Sequence, residues 1–143
     1  LGFNSRLDTV QAVVLKAKLE CLAGWNEARR KAAALYDELL ASVEEVRLAR
    51  TLPGNEHVFH LYVIRVADRD GVLARLHEGG IGAGIHYPVP IHLQGAFAGL
   101  GHGEGSFPVA EAAAREVLSL PLFPGITVEE QERVVAVLRR AIG

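Results

Sequence analysis

The densest group of hydrogen-bonding side chains in this sequence is His86-Tyr87-Pro88-Val89-Pro90, a stiff segment in which each proline disfavours helix in the residue before it. An imidazole and a phenol on a rigid stretch leaving a strand suit the holding of a small ligand; the alternative is a structural turn with a buried tyrosine. The remaining candidates carry less. His57 and His60 stand three apart in an expected strand, which sends them to opposite faces, and no cysteine pair or HExxH supports a zinc site. The glycine clusters at 79–84 and 99–105 match neither GxGxxG nor GxxxxGK[ST] and read as flexible loops. Cys21 falls on an apolar helical stripe, where a thiol behaves as a small hydrophobe. Ser42, Ser106 and Ser119 lack a nucleophile elbow, so no complete hydrolase triad can be named. Asn4 and Arg6 precede the first helix, where an Asn can act as a cap, and His60 and Tyr62 share a strand face whose default role is packing.

These side chains must be positioned by a scaffold of ordinary composition. With 143 residues, 50% hydrophobic and 22% charged, the chain reads as one globular domain with an N-terminal helical arm, long enough to bury a core without staples. A single cysteine excludes an internal disulfide, and the absence of a leader and of any long apolar run favours a cytoplasmic protein with no membrane partner. The net charge is −2, from 15 basic and 17 acidic residues scattered along the chain, which leaves no footprint for nucleic acid. There is no methionine, so a sequence opening Leu1-Gly2-Phe3 reads as a fragment of something longer.

The apolar residues Leu7, Val10, Val14, Ala17 and Cys21, then Trp25, Ala28, Ala32, Leu35 and Leu39, follow the three-four spacing of a helix face packed on a core. Gly24 suggests a break between Leu19 and Trp25, giving two helices or one interrupted one. Residues 51–55 read as a turn flanked by a short strand at 46–50 and the strongest strand at 58–66. Asp68 is a candidate N-cap for a helix over 71–77 that Gly79-Gly80 would stop, followed by a short strand at 81–86. Residues 95–107 read as loop with a little helix, Pro108 opens a helix to about Val117, and 118–122 suits an edge strand tolerant of Pro121. Thr127-Val128-Glu129-Glu130 is a capping box for a last helix with Val134, Val137, Leu138 and Ala141 inward. The order implies an α+β fold, a small antiparallel or mixed sheet covered by helices.

Taken together, Gly2-Phe3-Asn4-Ser5-Arg6-Leu7-Asp8, Gln11-Ala12, Lys18-Leu19, Trp25-Asn26 and Arg29-Arg30 resemble the start of the C-terminal part of the DegT/DnrJ/StrS-type sugar aminotransferases. His60-Leu61-Tyr62, Gly80-Ile81, His86-Tyr87-Pro88, His92-Leu93-Gln94, Pro108-Val109-Ala110-Glu111, Leu118-Ser119-Leu120-Pro121 and Thr127 to Gln131 continue the resemblance in that family's order, over essentially the whole chain. The resemblance implies the small C-terminal domain of a fold type I enzyme dependent on pyridoxal 5'-phosphate, with 1–45 a connecting helical arm and 46–143 the small domain. It implies transfer of an amino group from glutamate or glutamine to a ketone on a nucleotide-linked sugar or cyclitol. The lysine that carries the cofactor, and most of the cofactor's other ligands, would lie upstream, so no catalytic residue is assigned here and the fragment alone is expected to be inactive. By the same resemblance Asn4 reaches the cofactor phosphate of a neighbouring subunit in a homodimer, and His86 and Tyr87, followed by His60 and Arg6, lie near the substrate. The alternatives are a non-catalytic binding or dimerisation module that keeps the fold, and a helical adaptor whose arm pairs with a partner helix.

Overall fold

The computed structural model describes residues 4–143 of the chain. It opens with one long helix, α1 (Thr9–Leu40), whose N-cap Asp8 accepts a hydrogen bond from the Val10 amide at 2.8 Å. The expected break at Gly24 does not form. A single glycine costs about 1 kcal/mol relative to alanine, too little to interrupt a run rich in Ala, Leu, Glu, Lys and Arg. The apolar stripe is also corrected: Leu7, Val10, Val14 and Trp25 are exposed, Cys21 is exposed, and burial begins at Ala32 and Ala33 and continues through Tyr36 and Leu40.

Three short strands follow in an antiparallel sheet of order β1-β2-β3: β1 (Arg47–Leu48), β2 (Tyr62–Arg65) and β3 (Val117–Leu120). The strand expected over 58–66 is shorter because its partner β1 has two residues and because Phe59 takes a left-handed φ of 46°, its amide donating to His57 Nδ1 at 2.8 Å. His57, Phe59, Tyr62 and Tyr36 then form a chain of ring contacts leading into the core, with Tyr36 and Tyr62 stacked at 4.8 Å.

Helix α2 (Arg69–Glu78) is capped by the Asp68 carboxylate, which accepts from the Gly71 amide, and is stopped where Gly80 takes a φ of 74°. The short strand expected at 81–86 is absent. The Ala83 amide turns back to the Ile81 carbonyl, and what remains is one bridge between Gly84 and Ser119. Two 3-10 turns, Ile91–Leu93 and Gly95–Leu100, lead to α3 (Pro108–Glu116), and the capping box of Thr127 and Glu130 opens α4 (Val128–Ile142) with both of its hydrogen bonds formed.

The core lies between one face of the sheet and the helices α1, α2 and α4. Tyr62 and Ile64 of β2, Leu118 and Leu120 of β3, Leu76 of α2 and Leu138 of α4 are buried in it together, each worth roughly 1.5 to 3 kcal/mol against exposure. Polar groups close its margins. The Arg139 guanidinium donates to the Leu39 carbonyl in the last turn of α1, Arg75 does the same for Ala141 of α4, and the Gln131 amide reaches the Ala32 carbonyl at 2.7 Å. Glu116 bridges Arg47 and Arg65, tying the end of α3 to both β1 and β2. No described helix is long and apolar enough to cross a membrane.

Candidate functional site

The segment between α2 and α3 is where the sequence concentrates its chemistry and where the structure opens. A cavity of about 690 Å³ lies between residues 86–94, the 3-10 turn at 95–100 and α3; His86, Tyr87, His92, Phe97 and Phe107 are among its lining residues. Its walls are mostly hydrocarbon with a few ring nitrogens and hydroxyls, the usual make-up of a small-molecule site. Tyr87 is 71% exposed and packs edge-on against the His86 ring, so the turn with a buried tyrosine does not form.

His86 also borders a second, smaller cavity of about 330 Å³ with Gly82, Gly84 and Ser119. Its Nδ1 lies 2.9 Å from the Ser119 hydroxyl, which is buried on the sheet face opposite Leu118 and Leu120.

The outer wall of the large cavity is held by one carboxylate. Glu111, in the first turn of α3, accepts from the amides of Gly105 at 2.9 Å and Phe107 at 3.1 Å, and His92 Nε2 lies 3.0 Å away. Both side chains are about nine-tenths buried, and an ionised carboxylate only accepts, so the imidazole supplies the hydrogen. The Gly105 amide above all, then the Phe107 amide and the His92 ring, hold the Glu111 carboxyl below its ordinary value against the opposing effect of burial. His92 and His102 stack edge-on against Phe107, completing the wall.

Asn4 and Arg6 are brought together elsewhere, with Asp8 and Gln11 around a polar cavity of about 400 Å³ ahead of α1. Since Asp8 is the helix cap, Asn4 is left with its amide uncommitted to capping. His60 is exposed, precedes β2 and lines none of these three cavities, while Tyr62 turns into the core and donates to Asp37 at 2.6 Å. Lys16, Lys18 and Lys31 all stand exposed on α1, away from these cavities, and Lys31 is within 4.0 Å of Glu27. Among the described residues no group of three His, Cys, Asp or Glu is placed to hold a metal ion.

Sequence reasoning missed Ser119 and Glu111. Each acts through a partner 33 or 19 residues away, a pairing that no local periodicity carries. Both stand in stretches that mark the resemblance, which assigned them no role.

The family model of the DegT/DnrJ/EryC1/StrS aminotransferases matches residues 1–139. A UDP-N-acetyl-3-dehydro-alpha-D-glucosamine 3-aminotransferase of Acidithiobacillus ferrooxidans is 43% identical over 142 residues, and a pleiotropic regulatory protein of Geobacillus stearothermophilus is 48% identical over 137. These alignments cover 99% and 94% of this chain but 38% and 37% of those proteins, so the chain spans less than two fifths of the relatives it matches. Among solved structures, S. venezuelae DesV in complex with a ketimine intermediate superposes with a TM-score of 0.90 at 42% identity, over 97% of this chain and 38% of that one. The ordered motifs, the small antiparallel sheet under its helices and these likenesses lead to one assignment: the chain belongs to the DegT/DnrJ/EryC1/StrS aminotransferase family.

Proposed function

We propose that this chain is the C-terminal part of a pyridoxal-phosphate-dependent aminotransferase that moves an amino group from glutamate or glutamine to a keto group of a nucleotide-linked sugar or cyclitol. The observation that carries the reading is the pairing of an open, mostly apolar cavity with an anchored imidazole at its margin, in a chain similar over 99% of its length to an aminotransferase of that substrate class. In this reading 1–45 is the connecting helical arm and 46–143 the small domain, and the working protein is a cytoplasmic homodimer.

The residues present fit one corner of the cofactor. Asn4, Arg6 and Gln11 offer amide and guanidinium donors to a phosphate oxygen around one polar cavity, whereas the lysines are exposed on α1 and suit no anchoring role. The cofactor, when bound, supplies an electron sink for proton transfer. What this chain does is bind and orient: Asn4 holds phosphate with Arg6 beside it on the same cavity, His86 and Tyr87 donate to oxygens of the substrate, and Glu111 pins the wall against which the substrate lies. His60, exposed on the loop before β2, would meet substrate only at its periphery.

The test is amino transfer by the complete protein. Loaded with cofactor, it should convert a keto nucleotide sugar to the amino sugar with glutamate or glutamine consumed in equal amount; no transfer to any such ketone refutes the reading. The 143-residue chain alone, mixed with pyridoxal phosphate and reduced with borohydride, is expected to show no stoichiometric labelling of a single lysine. Peptide mass mapping that finds Lys16, Lys18 or Lys31 fully modified, with turnover, would contradict this.

Replacing Asn4 by Ala in the complete protein should weaken cofactor retention by about 1.5 to 3 kcal/mol, one hydrogen bond to a charged group. That is roughly tenfold to hundredfold in Kd, measured by equilibrium dialysis. Unchanged retention removes Asn4 from the phosphate site.

A second reading is favoured by the relative named as a pleiotropic regulatory protein: a non-catalytic binding or dimerisation module that retains the fold. An upstream lysine that reacts with the cofactor separates the two.

A further inference from the structure

Ser119 is 4% exposed, and its backbone is fully engaged: its amide donates to the Gly84 carbonyl at 2.7 Å and its carbonyl accepts from the Gly84 amide at 3.0 Å. The hydroxyl proton still needs an acceptor, because a buried donor left unmade is penalised. Among the described residues His86 Nδ1, at 2.9 Å, is the group the hydroxyl pairs with. A hydroxyl can donate only to an unprotonated ring nitrogen, and a neutral imidazole with a bare Nδ1 carries its hydrogen on Nε2. Gly84 leaves room for the ring on another side, since a Cβ at that residue would lie 3.2 Å from His86 Cε1. The ring is thus held at Nδ1 by a buried hydroxyl, in a space at Cε1 that a side chain on residue 84 would crowd. Its Nε2 makes no hydrogen bond among the described residues, and the residue borders both cavities.

We propose that Ser119 is a positioning residue for His86, selecting the tautomer in which Nε2 bears the hydrogen, so that His86 presents a donor to an oxygen of the ligand. This rests on the reading of His86 as a substrate contact and gives that contact a direction. The ligand atom that fits is an oxygen acceptor, on the pyrophosphate or on the sugar; an ammonium or a hydroxyl acting only as donor would find no partner.

The test uses the complete protein labelled with 15N at histidine, with His86 assigned by its loss in His86→Gln. In the neutral ring, Nδ1 is expected to resonate as a pyridine-type nitrogen and Nε2 as a pyrrole-type one. Ser119→Ala should give a mixture of tautomers, and Ser119→Thr, which keeps the hydroxyl, should restore the single form. A merely structural serine would change stability and leave the tautomer alone. A pyrrole-type Nδ1 in the wild type, or a tautomer unchanged by Ser119→Ala, overturns the proposal. Titration with dTDP and UDP, and with dTDP-glucose and UDP-N-acetylglucosamine, reads the ligand side. Ser119→Ala should weaken binding roughly threefold to tenfold; loss with the bare nucleotide puts the acceptor on the pyrophosphate, and loss only with the sugar nucleotide puts it on the sugar. Weakening by His86→Gln but not by Ser119→Ala overturns the positioning role. If His86→Gln leaves affinity unchanged while the tautomer behaves as described, the substrate-contact reading fails and tautomer selection stands.

Discussion

Truncating Tyr36 to alanine is expected to lower the unfolding free energy by about 3 to 5 kcal/mol, the range for removing a buried aromatic ring. Tyr36 is fully buried on α1, stacks on Tyr62 of β2 at 4.8 Å and donates its hydroxyl to the Pro121 carbonyl at 2.9 Å. One side chain therefore joins the helix, the central strand and the turn after β3. Burial, aided by the charge of Glu130, pushes the phenol well above its ordinary value, so it remains a donor across the usual pH range. Tyr36→Phe separates the contributions: it keeps the ring and should lose only about 1 kcal/mol for the hydrogen bond. Urea unfolding of both variants measures the difference. Equal losses would mean that the ring contributes little and that α1 is held elsewhere.

Glu111→Ala should release the wall of the large cavity while leaving the sheet intact. The substitution strands the amides of Gly105 and Phe107 and the His92 ring hydrogen at once. Amide exchange at Gly105 and Phe107 is expected to accelerate about tenfold or more, with the amides of β2 and β3 unchanged. Because the Glu111 carboxyl is held below its ordinary 4.5, its contribution is complete above that pH and is lost as the pH falls through the folded value. Measured against the intrinsic exchange rate, which itself falls in acid, the protection of the Gly105 and Phe107 amides should thus drop on acidification in the wild type and be insensitive to it in Glu111→Ala. A loop equally protected in both proteins would show that the carboxylate holds nothing in place.

What the sequence disclosed was local. The capping box at Thr127 and Glu130, the Asp68 cap and the glycine stop of α2 are decided within a few residues of themselves, and each stands where its spacing put it. Helical periodicity found α1 but could not locate the buried part: a stripe identifies a face, and what covers the face is decided by tertiary packing. Strand propensity overran β2 for a similar reason, since its length depends on β1, a partner whose own two residues give little signal. His86 and Tyr87 stood out by composition, and the structure brings both to one cavity. The Ser119 hydroxyl and the Glu111 carboxylate were illegible because their partners are distant in sequence.

The bridge between Gly84 and Ser119 belongs to a wider pattern along the free side of β3. The residues whose backbone groups face outward are Val117, Ser119 and then Pro121, just past the strand. The Val117 amide bonds to Ala113 and its carbonyl accepts from Arg69; Ser119 is taken at both groups by Gly84; Pro121 has no amide, and its carbonyl accepts from Tyr36. The opposite margin of the sheet, β1, is only two residues long. A stray strand from another molecule would find no run of free amides and carbonyls on either border, so the sheet is closed to edge-on growth and to the aggregation that open edges invite.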